Sequence, residues 1–424
     1  MQNAAIKTAL ALGILSFSSG QAFAAAMDRS GQSIQAFLQP NDYAEISYSN
    51  VSPNVSGQHK HGQFIEDMAS PYHYVSAAIK LQAAEQFSFG LLYDQPFGGL
   101  AEYQGDNPMV EQGSAGFVAN TQVDVRSNNL SVLIGYQPTK NINLYAGPVY
   151  QRVEGEVQFA GPGFKYMSGY QNKIDSSDGY GWLIGAAYEI PEIALKAAVT
   201  YRSEIDHKAH TVEQFKFATI QKNTIDPTDN YVLGLLNHAV GNYVDSEFTI
   251  STPQSVNLDF QTGIAANTLA FANVRWVNWK KFTLRPQGFN TASTFIGILR
   301  TNGQYQDGFD LTDYAKDQWS ANVGVGRKLN EQWAGNVSVG YDSGAGNPIS
   351  TLGPTDGYWS AGLGVRYSPL PQYEFSLGAK YLWLGDAKVQ RGDYAIPGNA
   401  ENAYVGEFKD NHAWAWGGKI AYRF

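Results

Sequence analysis

Trp359-Ser360-Ala361-Gly362-Leu363-Gly364-Val365-Arg366-Tyr367 alternates apolar or aromatic residues with small and polar ones without a break. A period of two means a β-strand with two chemically different faces. Trp359, Ala361, Leu363, Val365 and Tyr367 share one face, and Ser360, Gly362, Gly364 and Arg366 the other. The second face is too small and polar to be a packed core. Such a strand fits a membrane barrel, with its apolar face toward lipid and its polar face toward a lumen.

The pattern recurs along the chain. Val256 to Ile264 alternate, and so do Trp333, Gly335, Val337, Val339 and Tyr341 with their neighbours. Tyr373 to Trp383, Leu195 to Tyr201 and Leu130 to Tyr136 repeat it. The last residues, from Trp414 through Ile420 and Tyr422 to Phe424, keep the alternation up to a terminal aromatic. Aromatic residues near the ends of the apolar faces suit the interfacial girdles of an outer-membrane barrel.

Connections alternate in length. Short links fall near 83–86, 137–140, 189–192, 265–268, 329–332 and 368–371. Longer ones fall near 57–71, 104–120, 161–178, 206–252, 283–316, 342–357 and 388–411. Six turns and seven loops give an all-β, 14-stranded antiparallel transmembrane barrel over 42–424, with both ends periplasmic. No repeat of fixed length supports a solenoid or propeller.

Composition agrees. The 424 residues include 44 Gly, 26 Tyr, 22 Phe and 9 Trp, only 16% charged residues and no Cys. So many aromatics exclude a disordered chain, and no later apolar run approaches the ~20 residues of a membrane helix. A net charge of -9 gives no support to nucleic-acid binding. Lys7, the apolar stretch Ala9 to Phe17 and the small-residue site Ala22-Phe23-Ala24 are laid out as a signal peptide, expected over 1–24.

Three segments depart from the wall pattern. Residues 25–41, with Ser30, Gly31, Gln32, Ile34 and Phe37, precede the first strand and are expected as a short luminal plug. Tyr231 to Leu236 with Val240 has the spacing of a short helix with one greasy face. Pro96, Phe97, Gly98 and Gly99 interrupt the third strand, because Pro lacks a ladder donor and Gly favours a bulge. A gap in the wall or a plain barrel corner would each account for them. Pro148, also within a strand, is read only as a corner.

Several stretches resemble the FadL-type family of outer-membrane transporters for long-chain fatty acids and other hydrophobic molecules. They are Tyr201-Arg202-Ser203-Glu204, Pro253-Gln254-Ser255-Val256, Val274 to Phe282 with Trp276, Trp279 and Phe282, and Gly99 to Tyr103. One departure is the N-terminus, where only about 17 residues replace a family plug of roughly 40 with its Asn-Pro-Ala segment. The resemblance implies capture between extracellular loops, passage to a pocket near the plug, and lateral exit at the kinked third strand.

Hydrophobic capture needs concave apolar area with a few polar anchors. Candidate ligand residues are Phe164, Tyr166, Met167, Phe215, Phe217, Leu233, Leu235, Leu236 and Val240, with Phe159 and Tyr170 beside them. The same residues could instead pack the loops together as a lid. Arg152 and Arg202, and after them Arg29 and Lys380, are the candidate cations for a carboxylate headgroup, or members of barrel ion pairs. The expected function is passive transport, most simply of long-chain fatty acids; aromatic hydrocarbon uptake and a general hydrophilic porin are the alternatives. Neither Gly-x-Ser-x-Gly nor His-Glu-x-x-His occurs, so no enzyme is expected. His59-Lys60-His61 and the run from Asp307 to Asp313 read as solvated loops rather than metal sites. No cofactor is implied. Expected partners are hydrophobic small molecules, outer-membrane lipid and the barrel assembly machinery, with the barrel a monomer.

Overall fold

A computed structural model describes residues 27–112, 118–217 and 227–424. The expected signal peptide lies outside the described residues. The strands are β1 (Tyr43–Asn54), β2 (Tyr72–Ala84), β3 (Phe87–Asp94, continued by Gly98–Glu102), β4 (Gln122–Thr139), β5 (Ile142–Gln158), β6 (Gln171–Ile190) and β7 (Leu195–Arg202, continued by Ile205–Gln214). They continue as β8 (Tyr243–Thr252, then Ser255–Ala265), β9 (Thr268–Val277), β10 (Gln318–Lys328), β11 (Trp333–Asp342), β12 (Tyr358–Tyr367), β13 (Tyr373–Leu384) and β14 (His412–Arg423). Each is antiparallel to its neighbours, and β14 closes on β1 from Tyr43↔Arg423 to Asn54↔His412. Closure into fourteen strands leaves no free outer strand, which a bilayer demands because it offers no water to unpaired backbone groups.

The faces are those of a membrane barrel. Trp359, Leu363, Val337 and Leu377 point outward and are exposed, whereas Ser360 and Arg366 point inward and are buried. Two aromatic girdles flank the apolar band. The lower contains Trp333–Tyr367 (ring centroids 4.6 Å apart), Phe87–Tyr136 (5.2 Å) and Tyr422–Phe424 (4.8 Å). The upper contains Tyr341–Trp359 (4.8 Å), Tyr381–Trp414 (4.9 Å) and Trp182–Tyr201 (5.2 Å).

One expected loop is much shorter than its sequence reading. The stretch 206–252 is not all loop: Ile205–Gln214 and Tyr243–Thr252 are strands paired from Ile205↔Thr252 to Gln214↔Tyr243. Inward Ile205, His207, Ala209, Thr211 and Glu213 are buried, while the outer face carries Asp206, Lys208, His210 and Asp245. With charges on its outer face, this length of wall stands above the bilayer, so the lipid-facing pattern is missing there. The expected helix does form, as α1 (Pro227–Val240). Its partner is α2 (Gln287–Arg300), a helix within the stretch 283–316 expected as a loop.

Much of residues 27–38 is buried against the inner face of the wall. Ile34 and Phe37 pack with inward-facing Leu92, Leu133, Tyr145 and Leu183. Phe37 fits because β4 carries Gly135 beside it; a Cβ there would lie 2.9 Å from the ring.

Candidate functional site

The interruption in β3 begins the site. β3 pairs with β4 through Asp94↔Asn129 and resumes at Gly98↔Arg126, so three residues on β3 face two on β4, a one-residue bulge. On the other side, pairing with β2 ends at Ala77↔Tyr93, and Tyr72 to Ser76 have no ladder partner on β3. Side chains supply the missing bonds. The Gln95 Oε1 accepts the Val75 N–H (3.0 Å), and the Ser127 hydroxyl accepts the Phe97 N–H (2.8 Å) and donates to its carbonyl (2.6 Å). The pairing Ala69↔Ala101 and the bond from Glu102 N–H to the Met68 carbonyl (2.8 Å) close the wall above. The result is a bounded window in the wall.

The N-terminal segment stands in this window. The Arg29 N–H donates to the Pro96 carbonyl (2.6 Å), and the Gly98 N–H donates to the Met27 carbonyl (2.9 Å). Arg29 places its guanidinium 4.2 Å over the Tyr72 ring. Further in, Asp28 is paired with Arg275 of β9 (2.6 Å), which also donates to Asn257 (2.7 Å) and Gln32 (3.0 Å). The Ser30 hydroxyl donates to Asp94 (2.6 Å), and the Asn257 amide donates to the Gly31 carbonyl (2.8 Å).

Behind the window lies an apolar chamber with about 1020 Å³ of space between protein atoms, counting the open solvent at its mouth. Its walls include Met27, Phe97, Val125, Ile250, Trp279 and Leu352. Trp279 is fully buried and held by a bond to Gln318 (2.8 Å); Phe97, Phe282 and Tyr314 stand edge-on to it at 5.1–5.5 Å. A hydrogen-bonded layer lies to one side: Asn129 donates to Asp94 (2.9 Å), Gln151 donates to Asn129 (3.4 Å) and Thr252 donates to Gln151 (2.6 Å). Beyond that layer and around the N-terminal segment are two polar chambers, of about 980 and 710 Å³.

Toward the loops, a second cavity of about 500 Å³ is lined by Phe164, Tyr166, Met167, Phe289 and Ile296 and shares Ser350 with the apolar chamber. It shares Phe159, Lys165 and Tyr166 with a groove of about 1840 Å³ among the loops, where Lys216, Leu233 and Arg300 also stand. Tyr166 donates to Asp229 (2.7 Å); burial and that carboxylate raise its pKa to about 12. Lys165 is lowered by burial and by the Arg391 and Arg300 charges. Glu213, at the top of β7, accepts the Phe289 N–H (2.7 Å) and the Gly288 N–H at the start of α2, satisfying two donors that a helix start leaves open.

The expected ligand residues separate by position. Phe164, Tyr166, Met167 and Leu233 line cavities, while Phe215 and Phe217 stack on each other at 5.0 Å and Leu236 is buried beside them. Leu235 and Val240 are half-buried on α1. Arg152 does not face the lumen as expected: it lies on the outer side of β5, about half exposed, paired with Asp178 (2.7 Å). β5 alternates, and Gln151 and Val153 take the inward positions. Arg202 does face inward. Sequence reasoning missed Met27 and α2, although Phe289, Ala292 and Ile296 at helical spacing were a signal for the helix.

A search of curated proteins by sequence finds no match. The family described as outer membrane protein transport protein (OMPP1/FadL/TodX) matches residues 9–424. Among solved structures, a Pseudomonas aeruginosa FadL homologue is similar at 13% identity and TM-score 0.67, covering 96% of each chain. A Pseudomonas putida toluene transporter, TodX, is similar at 11% identity and TM-score 0.60, covering 97% of this chain and 98% of that one. A Ralstonia pickettii toluene transporter, TbuX, has 11% identity and TM-score 0.56, covering 97% and 98%.

Proposed function

The chain belongs to this family of outer-membrane transport proteins for hydrophobic compounds, and from that premise we propose that it passively carries long-chain fatty acids inward. The single observation that carries this reading is the succession of cavities. The loop groove, the smaller cavity and the apolar chamber share lining residues in turn, and the last opens against the interrupted β3. Ligand enters at the groove and reaches the chamber beside Trp279. It leaves sideways between β2 and β3 once Met27 to Arg29 move, since the polar layer from Asp94 to Thr252 resists an apolar molecule going further along the lumen.

The magnitudes allow such a gate. Two backbone hydrogen bonds, one cation–π contact and the buried Asp28–Arg275 pair hold the segment in the window, roughly 5–10 kcal/mol together. Each buried CH₂ is worth ~0.8 kcal/mol, so about six to twelve methylenes, within the length of a long acyl chain, offset the opening.

A second reading is uptake of aromatic hydrocarbons. The box of Phe97, Trp279, Phe282 and Tyr314 favours it, because aromatic rings pair edge-to-face. Two of the similar solved structures are toluene transporters. A general hydrophilic porin is disfavoured by the apolar lining of the chamber, with Phe97, Val125, Ile250 and Trp279. Mass spectrometry of compounds co-purifying with the native protein, with uptake of radiolabelled palmitate and toluene into cells, separates the readings. Palmitate uptake supports the first, toluene uptake alone the second, and uptake of neither sinks both.

A further inference from the structure

Lumen arginines at the level of the N-terminal segment are treated unequally. Arg275 is 5% exposed on its side chain, and its guanidinium is engaged by Asp28, Ser255, Asn257 and Gln32. Arg202, one strand pair away, is equally deep at 6% exposed, yet its Nη1 is buried with no hydrogen-bond partner among the described residues. A guanidinium offers five donors in a fixed fork suited to a carboxylate, and leaving even the donors of one buried nitrogen unmet is costly.

The surroundings form a built site. Arg202 lines the polar chamber of about 980 Å³ together with Ser30, Asp94, Asn129, Ser131 and Lys419. The other charges there are already engaged. Asp94 accepts from Ser30 (2.6 Å) and Asn129 (2.9 Å), and Lys419 is paired with Glu45 (3.4 Å) and Glu374 (3.1 Å). Arg202 sits opposite Ser255 on β8, two residues from Pro253 in the wall of the apolar chamber, or roughly 7 Å along the strand. The polar layer of Asn129, Gln151 and Thr252 separates this chamber from the apolar one.

We propose that Arg202 is the anchor of a carboxylate-binding site in the polar chamber around the N-terminal segment. This rests on the transport reading and narrows its substrate class to molecules with a carboxylate. The carboxylate comes either from the headgroup of an amphipathic acid or from a small free acid.

The test uses the full chain in non-ionic detergent and equilibrium binding of palmitate and of methyl palmitate, whose tail is the same and whose head is neutral. Wild type is expected to bind the acid about tenfold more tightly than the ester, the scale of one charge-assisted hydrogen-bond pair. Arg202→Gln should abolish that preference and leave the ester affinity unchanged, and Arg202→Lys should restore part of it. If Arg202→Gln does not fold, Ser131→Asp, which adds a like charge to the bound carboxylate in the same chamber, must abolish the preference. A hundredfold excess of acetate that cancels the preference assigns the site to free carboxylates, and one that leaves it intact assigns it to the amphiphile's headgroup. A wild type without acid preference overturns the proposal, as does an Arg202→Gln protein that keeps it. Ester binding without acid preference leaves the transport reading standing; binding of neither ligand removes both.

Discussion

The guanidinium of Arg29 lies 4.2 Å over the ring of Tyr72, spanning the place where β2 and β3 cease to pair. Gly98 makes the arrangement possible: a Cβ there would sit 2.5 Å from the Arg29 Cζ and 2.7 Å from the Val125 carbonyl oxygen. The interrupted stretch of wall is therefore bridged by the chain's own N-terminal segment.

Gly98→Trp should jam this window. The indole has to displace Arg29 and then occupy the space itself, so uptake of labelled palmitate should fall at least about tenfold. The heat-modifiable gel migration that marks a folded barrel should stay as in wild type. Normal uptake by Gly98→Trp would mean that ligand leaves elsewhere and the bulge in β3 only turns a corner.

Arg275→Gln should loosen the N-terminal segment. It removes the buried partner of Asp28, and stranding such a charge costs about 3–5 kcal/mol. Single-channel conductance and sensitivity to hydrophilic antibiotics should both rise, and deletion of residues 28–38 should raise them further. Unchanged conductance in the deletion would show that the segment does not obstruct the lumen.

Leu236 and Leu233 on α1 should behave differently. Both are fully buried, but Leu233 also lines the loop groove. Leu236→Ala should lower the stability of the loop cap by about 2–5 kcal/mol, read as faster proteolysis of the loops on an intact barrel. Leu233→Asp should weaken palmitate binding at the groove. Equal effects of the two on binding would mean that α1 only packs the lid.

His59 sets a pH dependence in the extracellular loops. Burial, helped by the His61, Lys60 and Arg391 charges, lowers its pKa from 6.5 to about 4. The folded loop thus holds the neutral ring, and protonation favours the open form. Stability is full above pH 6.5 and falls as the pH drops toward 4. Limited proteolysis of the loops should quicken across that window in wild type but not in His59→Gln. Identical pH profiles would remove His59 as the cause.

Much of the barrel was legible in the chain because lipid imposes a period. From Trp333 to Tyr341 and from Trp359 to Tyr367 every second residue must be apolar, so strand number, facing and the six short turns can be read directly. The same rule fails where lipid ends. Ile205–Gln214 and Tyr243–Thr252 are also wall, but water meets their outer face, and Lys208, His210 and Asp245 hide the alternation. Arg152 shows a related limit. A polar residue in a strand suggests the lumen, yet above the girdle the outer face is equally polar, and parity with Gln151 and Val153 decides.

The sequence by itself determined the closed barrel, the interruption at Pro96 to Gly99, the greasy face of α1 and a short segment ahead of the first strand. Tertiary structure alone decided that Met27 and Arg29 complete the interrupted wall and that Glu213 starts α2. It alone decided that Arg275 is satisfied while a buried nitrogen of Arg202 is not. Periodicity is imposed locally, by the solvent on each side of a strand. Partnership between Arg29 and Tyr72, or Asp28 and Arg275, depends on how a 14-stranded wall curves distant residues into contact, and no local pattern encodes that.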